Sequence, residues 1–243
     1  SGTYPVFENV LIPLNPKQKV PAGVENKTGQ EGFFPTGNFT FTDDFSDPSL
    51  DFRWIAMRAA RENFAKVTPK GGAVINPMEA NIKDREPVAS LFYRQQHASF
   101  EAKVTMTYTP KSEKDLAGIT CYQSEAFNYV FGVTKKDDNS YLILARTERK
   151  SQRGFQGQNN LVETFIIGSV RINVKKPIQL QVVASRDDKY TFNYSVDGAN
   201  FHNVGGPVSG DILSTNVAGG FTGALIGLYS TTGNDIVPFE KNN

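Results

Sequence analysis

The chain has 243 residues, with 26 basic and 25 acidic side chains and a formal net charge of +1. That balance argues against a nucleic-acid or anionic-membrane partner, which calls for a basic excess, and no apolar run reaches the ~18 residues that span a bilayer. The length is ample for one large core, and a single cysteine, Cys121, excludes an internal disulfide, so packing must supply the stability. The compartment is left open by the residues, with an extracytoplasmic one (periplasmic or secreted) favoured.

In chain order, residues 1–37 come first and differ from the rest. Pro5, Pro13, Pro16, Pro21 and Pro35 punctuate short apolar groups such as Val10-Leu11-Ile12. Proline lacks an amide donor and fixes φ, so this stretch reads as an extended strap. From residue 38 onward the pattern is β. Phe100, Ala102, Val104, Met106 and Tyr108 alternate with Glu101, Lys103, Thr105 and Thr107, the mark of a half-buried strand. Asp137-Asp138-Asn139 predicts a turn between strands at 129–133 and 141–145. Residues 150–160, with Lys150, Arg153, Gly154 and Gly157, read as a polar loop. Asp187-Asp188 turns the segment 178–184 into a strand carrying Tyr190, Phe192, Tyr194 and Val196. Asp197-Gly198 then closes a hairpin that returns through Phe201. No stretch shows a helical period. Short strands separated by turns predict an all-β fold, an antiparallel two-sheet sandwich.

Near the end, Gly219, Gly220 and Gly223 surround Phe221 and Thr222, and an apolar strand follows from Ala224. Glycines of this density let a loop hold a large apolar side chain outward, and such a side chain usually touches something. The alternative is that Phe221 tucks beneath its own loop. The chain then closes on Asn234 to Glu240, where Pro238 interrupts strand pairing and predicts a short or irregular last strand.

Candidate chemistry is sparse. A glycosidase needs two carboxylates, one of them raised in pKa. Glu101, Asp115, Glu125 and Glu148 are the acids weighed, and each reads as a surface group, so no catalytic residue is assigned. Two histidines and one cysteine cannot make a zinc site. Arg94, Gln96 and His97 sit at a predicted bend, where they serve either as hairpin surface or as contacts to sugar hydroxyls or a neighbouring domain. Tyr122, Tyr129 and Tyr141 lie on adjacent predicted strands and form either a sugar platform or core, whereas Trp54, the single tryptophan, reads as core.

Five segments, taken together, carry a resemblance. They are Phe41-Thr42-Asp43-Asp44-Phe45 with Leu50 and Trp54, Leu91 to Ala102, Ala117 to Gln123, Tyr190 to Gly198, and Ala218 to Tyr229. In this order and spacing the chain resembles the C-terminal β-sandwich of glycoside hydrolase family 43, the β-xylosidases and α-L-arabinofuranosidases. The resemblance implies a concanavalin A-like jelly roll at 38–243, preceded by a connector at 1–37. It implies a partner too, the catalytic five-bladed propeller, in cis or in trans, whose acids have no counterpart here. The Gly-Gly-Phe-Thr-Gly loop would reach that propeller's pocket, with Gly220, Phe221 and Thr222 walling it off around xylo- or arabino-oligosaccharides. No cofactor is implied beyond a possible structural calcium, with Asp43, Asp44 and Asp235 as oxygen donors. Two other readings stay open: an independent carbohydrate-binding module for xylan- or arabinoxylan-type glycans, and a stand-alone glycoside hydrolase.

Overall fold

The computed structural model describes residues 40–154, 157–220 and 223–239. It divides the chain into two compact units, Ser1–Asp43 and Asp44–Asn243. The expected strap at 1–37 lies outside the described residues. Among those described, no helix is long and apolar enough to cross a membrane.

The second unit is built from antiparallel strands. They are β1 (Ile55–Ala56), β2 (Ala65–Val67), β3 (Ala73–Ile75), β4 (Ala89–Arg94), β5 (Phe100–Met106), β6 (Leu116–Ser124), β7 (Phe127–Lys136), β8 (Asn139–Gly154), β9 (Gly157–Ile172), β10 (Ile178–Ala184), β11 (Lys189–Ser195), β12 (His202–Asn203), β13 (Val208–Ser209) and β14 (Leu225–Thr231). One sheet has the order β1-β4-β14-β6-β7-β8-β9. The second runs β12-β11-β10-β5, with β13 also on β11, and β2 pairs with β3 apart from both.

Burial explains which sequence patterns were readable. β5 is an edge strand, pairing with β10 alone among the described strands, and its alternation of half-buried and exposed residues matches the pattern in the sequence. β6 and β7 lie mid-sheet and are buried on both faces, so they show almost no alternation. Their inner face carries Ile119, Cys121, Tyr129 and Phe131, packed with Leu180, Val182 and Phe192 of the second sheet. Phe192 lies 5.6 Å from Tyr129 and 5.5 Å from Phe131, ring centre to ring centre. Each such buried aromatic contributes about 1.5–3 kcal/mol of transfer free energy. The outer face carries Phe92, Tyr122, Val130, Ile143 and Tyr229, covered by Ile82, Val88 and Ile55. A third cluster gathers Phe64, Leu91 and half-buried Trp54, on which Phe45 stacks at 5.7 Å.

Three expectations change. Residues 150–154 and 157–160 are strand, not loop: β8 and β9 pair from Ser140↔Ile172 to Gly154↔Gly157, with one register shift between Leu144 and Ala145. β7 follows β8 only as far as Thr147, so the two strands continue past it as a ribbon. Polarity misled the reading, because main-chain pairing needs no apolar face. A helix also exists: α1 (Thr215–Ala218) is a single turn whose Ser214 side chain accepts from the Val217 amide. One turn is too short to leave a period. Finally, Tyr122, Tyr129 and Tyr141 are 6%, 0% and 3% exposed. Their rings are core, since Tyr122 and Tyr141 point to the covered outer face and Tyr129 to the inner one.

Candidate functional site

One end of the sandwich collects elements distant in sequence. β4 ends at Arg94, whose register partner is Leu225, the first residue of β14. The β4–β5 connection therefore lies beside the chain that re-enters the sheet after the glycine-rich loop. The Gln95 amide donates to the Ala224 carbonyl at 3.0 Å. The loop's other end follows α1, where Gly219 caps the helix at φ 72°. Gly220 and Gly223 also have positive φ, 80° and 72°. Side chains with a Cβ rarely adopt that backbone, so these three positions call for glycine.

A cleft of about 350 Å³ opens here, lined by Gln95, Gln96, His97, Tyr190, Ser214 and Ala224 among others. Its rim is braced across the two sheets. Tyr190, buried on β11, donates its hydroxyl to Gln95 Oε1 at 2.8 Å. Gln95 Nε2 in turn donates to the His97 carbonyl at 3.0 Å, which fixes the bend. Burial pushes the Tyr190 hydroxyl well above the usual phenol range, so it is a proton donor at any ordinary pH. On the far side Gln123, at the end of β6, donates Nε2 to the Gly219 carbonyl at 3.0 Å.

The structure thus brings Gln96 and His97 into one cleft, while Arg94 is not among its lining residues and ends β4 opposite Leu225, and Gly220 lies beside the Gln123 side chain. Phe221 and Thr222 lie outside the described residues. Gln95, Gln123 and Tyr190 went unassigned in the sequence. Their partners lie 95 or 96 residues away or depend on a bend, and no local spacing marks them.

Of the four acids weighed in the sequence, only Glu148 has another acid as register partner, Glu163 across β8 and β9. Asp115 closes a turn, accepting from the Lys111 amide at 2.7 Å. Glu125 pairs with Arg58, Glu148 with Arg146 at 3.2 Å, and Glu101 with Lys103 at 2.5 Å. Carboxyls displaced from their ordinary pKa are displaced downward: Glu101 by its hydrogen bond from Lys103, Asp51 by that from Arg53, and Asp197 by the Asn200 amide. A proton-donating acid needs the opposite shift. As for a metal, Asp44 accepts from the Ser46 amide at 3.0 Å and Asp235 pairs with Lys83. Among the described residues, no three His, Cys, Asp or Glu side chains come together as a ligand set.

Comparison with known proteins places this geometry. A family model described as the beta xylosidase C-terminal concanavalin A-like domain matches residues 42–236. A non-reducing end alpha-L-arabinofuranosidase of Bacteroides ovatus is 24% identical over 191 residues, which is 78% of this chain and 33% of that protein. The structure of a GH43_12 protein from a capybara gut metagenome is 44% identical, with a TM-score of 0.75 over 95% of this chain and 42% of its own. A GH43 protein of Bacillus licheniformis shares the fold at 19% identity, with a TM-score of 0.68 over 85% of this chain and 39% of its own. The chain therefore spans well under half the length of each of these relatives.

Proposed function

The chain belongs to the family of beta xylosidase C-terminal concanavalin A-like domains of glycoside hydrolase family 43, and we propose that it is a non-catalytic accessory sandwich. In this reading it docks on the catalytic propeller of a β-xylosidase or α-L-arabinofuranosidase and closes the pocket around a terminal sugar. The observation that carries the reading is the glycine-rich loop, anchored at both ends beside a cleft. Such anchoring suits a loop that holds one side chain at a fixed place against a partner. Among the described residues no carboxyl is displaced upward in pKa, and the two acids that face each other across β8 and β9, Glu148 and Glu163, each pair with a base, Arg146 and Lys150; this supports a role in shaping the pocket, with proton transfer left to the propeller. Phe221 would supply the apolar wall that excludes water, and Arg94, Gln96 and His97 would meet sugar hydroxyls or the propeller surface.

The test is Phe221→Ala in the full-length polypeptide that carries this sequence, assayed on an aryl xyloside and an aryl arabinofuranoside. Loss of a buried phenylalanine contact, about 1.5–3 kcal/mol, should lower kcat/KM by roughly ten- to a hundredfold. The thermal midpoint of the sandwich should stay unchanged. Unaltered kinetics would remove the pocket-wall role.

A further inference from the structure

The outer face of the second sheet carries chemistry that no core requirement explains. On β5, Ala102 and Val104 pack inward while Glu101, Lys103 and Thr105 are exposed. The register sets four polar side chains of that face in one row across the sheet: Lys103, Gln181, Asn193 and Asn203. Three strand spacings make the row about 14 Å long. Its amides are bonded to one another in a single direction. Asn203 Nδ2 donates to Asn193 Oδ1 at 3.1 Å, Asn193 Nδ2 donates to Gln181 Oε1 at 2.9 Å, and Gln181 donates to the Glu101 carboxylate. Phe201, just ahead of β12, brings a half-buried ring to the same face, with the Lys103 ammonium 5.6 Å from its centre.

An antiparallel sheet can simply turn such a face to water, but this one departs from what water alone favours. Asparagine is disfavoured in strands, yet Asn193 and Asn203 are register partners. Amides bond to water as well as to each other, so a solvent-facing row gains little from linking them and gives up rotamer freedom. Gln181 is only 9% exposed although it lies on the outer face. Local preference set aside without a gain in packing marks a place kept for another purpose. The linked amides stand already ordered, and Asn193 and Gln181 each keep a second N–H beyond the bonds of the row.

We propose that this face binds internal segments of a neutral polysaccharide of the xylan or arabinoxylan class. The occupant follows from the chemistry of the face. Glu101 and Lys103 pair and cancel in charge, so neither a polyanion nor a polycation is favoured. An amide both donates and accepts, as a sugar hydroxyl does, and Phe201 offers apolar surface to the C–H face of a sugar ring. A sheet face is open at both ends, so it suits the middle of a chain, whereas a closed pocket suits a terminal sugar. Side chains ordered in advance lower the cost of binding. A polymer held here would raise the local concentration of chain ends at an attached propeller. The choice of xylan or arabinoxylan rests on the family, but the site stands apart from the pocket-closing reading and is tested without a propeller.

The experiment is affinity electrophoresis of the purified 243-residue chain through gels holding linear xylan, arabinoxylan or polygalacturonate, beside Asn193→Val and Phe201→Ala. Xylan or arabinoxylan should retard the unchanged chain, and polygalacturonate should not. Asn193→Val should weaken that binding roughly two- to tenfold, the range that one hydrogen bond spans. Its thermal midpoint should hold or rise, because valine is the better strand former. Phe201→Ala should weaken binding roughly tenfold, through the apolar contact it removes. No retardation by either neutral glycan would overturn the proposal. So would retardation by polygalacturonate alone, which would mean capture of charge by Lys103. Retardation that both variants keep in full would put the glycan elsewhere on the molecule and overturn this site. A fall in both binding and midpoint for Asn193→Val, with Phe201→Ala unaffected, would show a merely structural asparagine and overturn it as well.

Discussion

Tyr229 shows how single residues hold this sandwich together. Its ring is 3% exposed on the outer face, and its hydroxyl accepts from the Ile82 amide at 2.9 Å. Tyr229→Phe keeps the ring and strands that amide, which costs about 1–3 kcal/mol. The chain should then melt several degrees lower by calorimetry, since 1 kcal/mol moves the midpoint of a domain this size by roughly 2–4 °C. An unchanged midpoint would mean that water replaces the bond. Gly227 makes a harsher case. A Cβ there would meet the Leu91 carbonyl at 2.0 Å, so Gly227→Ala should yield little folded protein on expression. Such residue-level demands were half legible in the sequence. The glycines around Phe221 announced a loop because positive φ leaves a compositional mark. Gln123 and Tyr190 left none, because hydrogen bonds across 96 and 95 residues have no period.

At the scale of elements, the last segment is the instructive one. Pro238 predicted a short or irregular end, and β14 does stop at Thr231. The chain from 232 to 239 forms no strand, and Asn234 holds it in place. Its Nδ2 donates to the Glu113 carbonyl and the Thr134 hydroxyl, each at 3.1 Å, and its Oδ1 accepts from the Ile236 amide at 3.1 Å. Asn234→Ala should leave the sheet intact and release this segment. Amide exchange at Ile236 should then speed up at least tenfold while that of β6 and β7 stays slow. Equal acceleration at both would mean the segment unfolds only with the whole. The same scale shows where sequence reading fails. β5 was legible because one face is wet, whereas the β8–β9 ribbon was hidden because its pairing is carried by main chain and its residues at 150–160 are polar.

For the whole molecule, the buried phenols predict a pH limit. Burial raises the hydroxyl pKa of Tyr108, Tyr190 and Tyr229 well above 10, and that of Tyr129 to about 12. A group whose folded pKa lies above its unfolded value contributes its full stability below the unfolded pKa, near 10, and loses it as pH rises further. The melting temperature should therefore fall steeply above about pH 10. Tyrosinate absorbance from these residues should appear together with unfolding, and its appearance in folded protein would contradict their burial. The fold class was legible from strands and turns, because two-sheet packing imposes alternation wherever one face meets water. The family was legible only through five segments taken together, and the accessory role proposed for the chain rests on that resemblance, since closing a pocket by shape would leave no catalytic signature in the residues. The most direct test of the proposed role is turnover of aryl xylosides and arabinofuranosides by the purified 243-residue chain, alone and joined to a family 43 catalytic propeller. The account predicts no turnover by the chain alone and full activity with the propeller. Turnover by the chain alone, abolished by replacing one of its own acids, would contradict it.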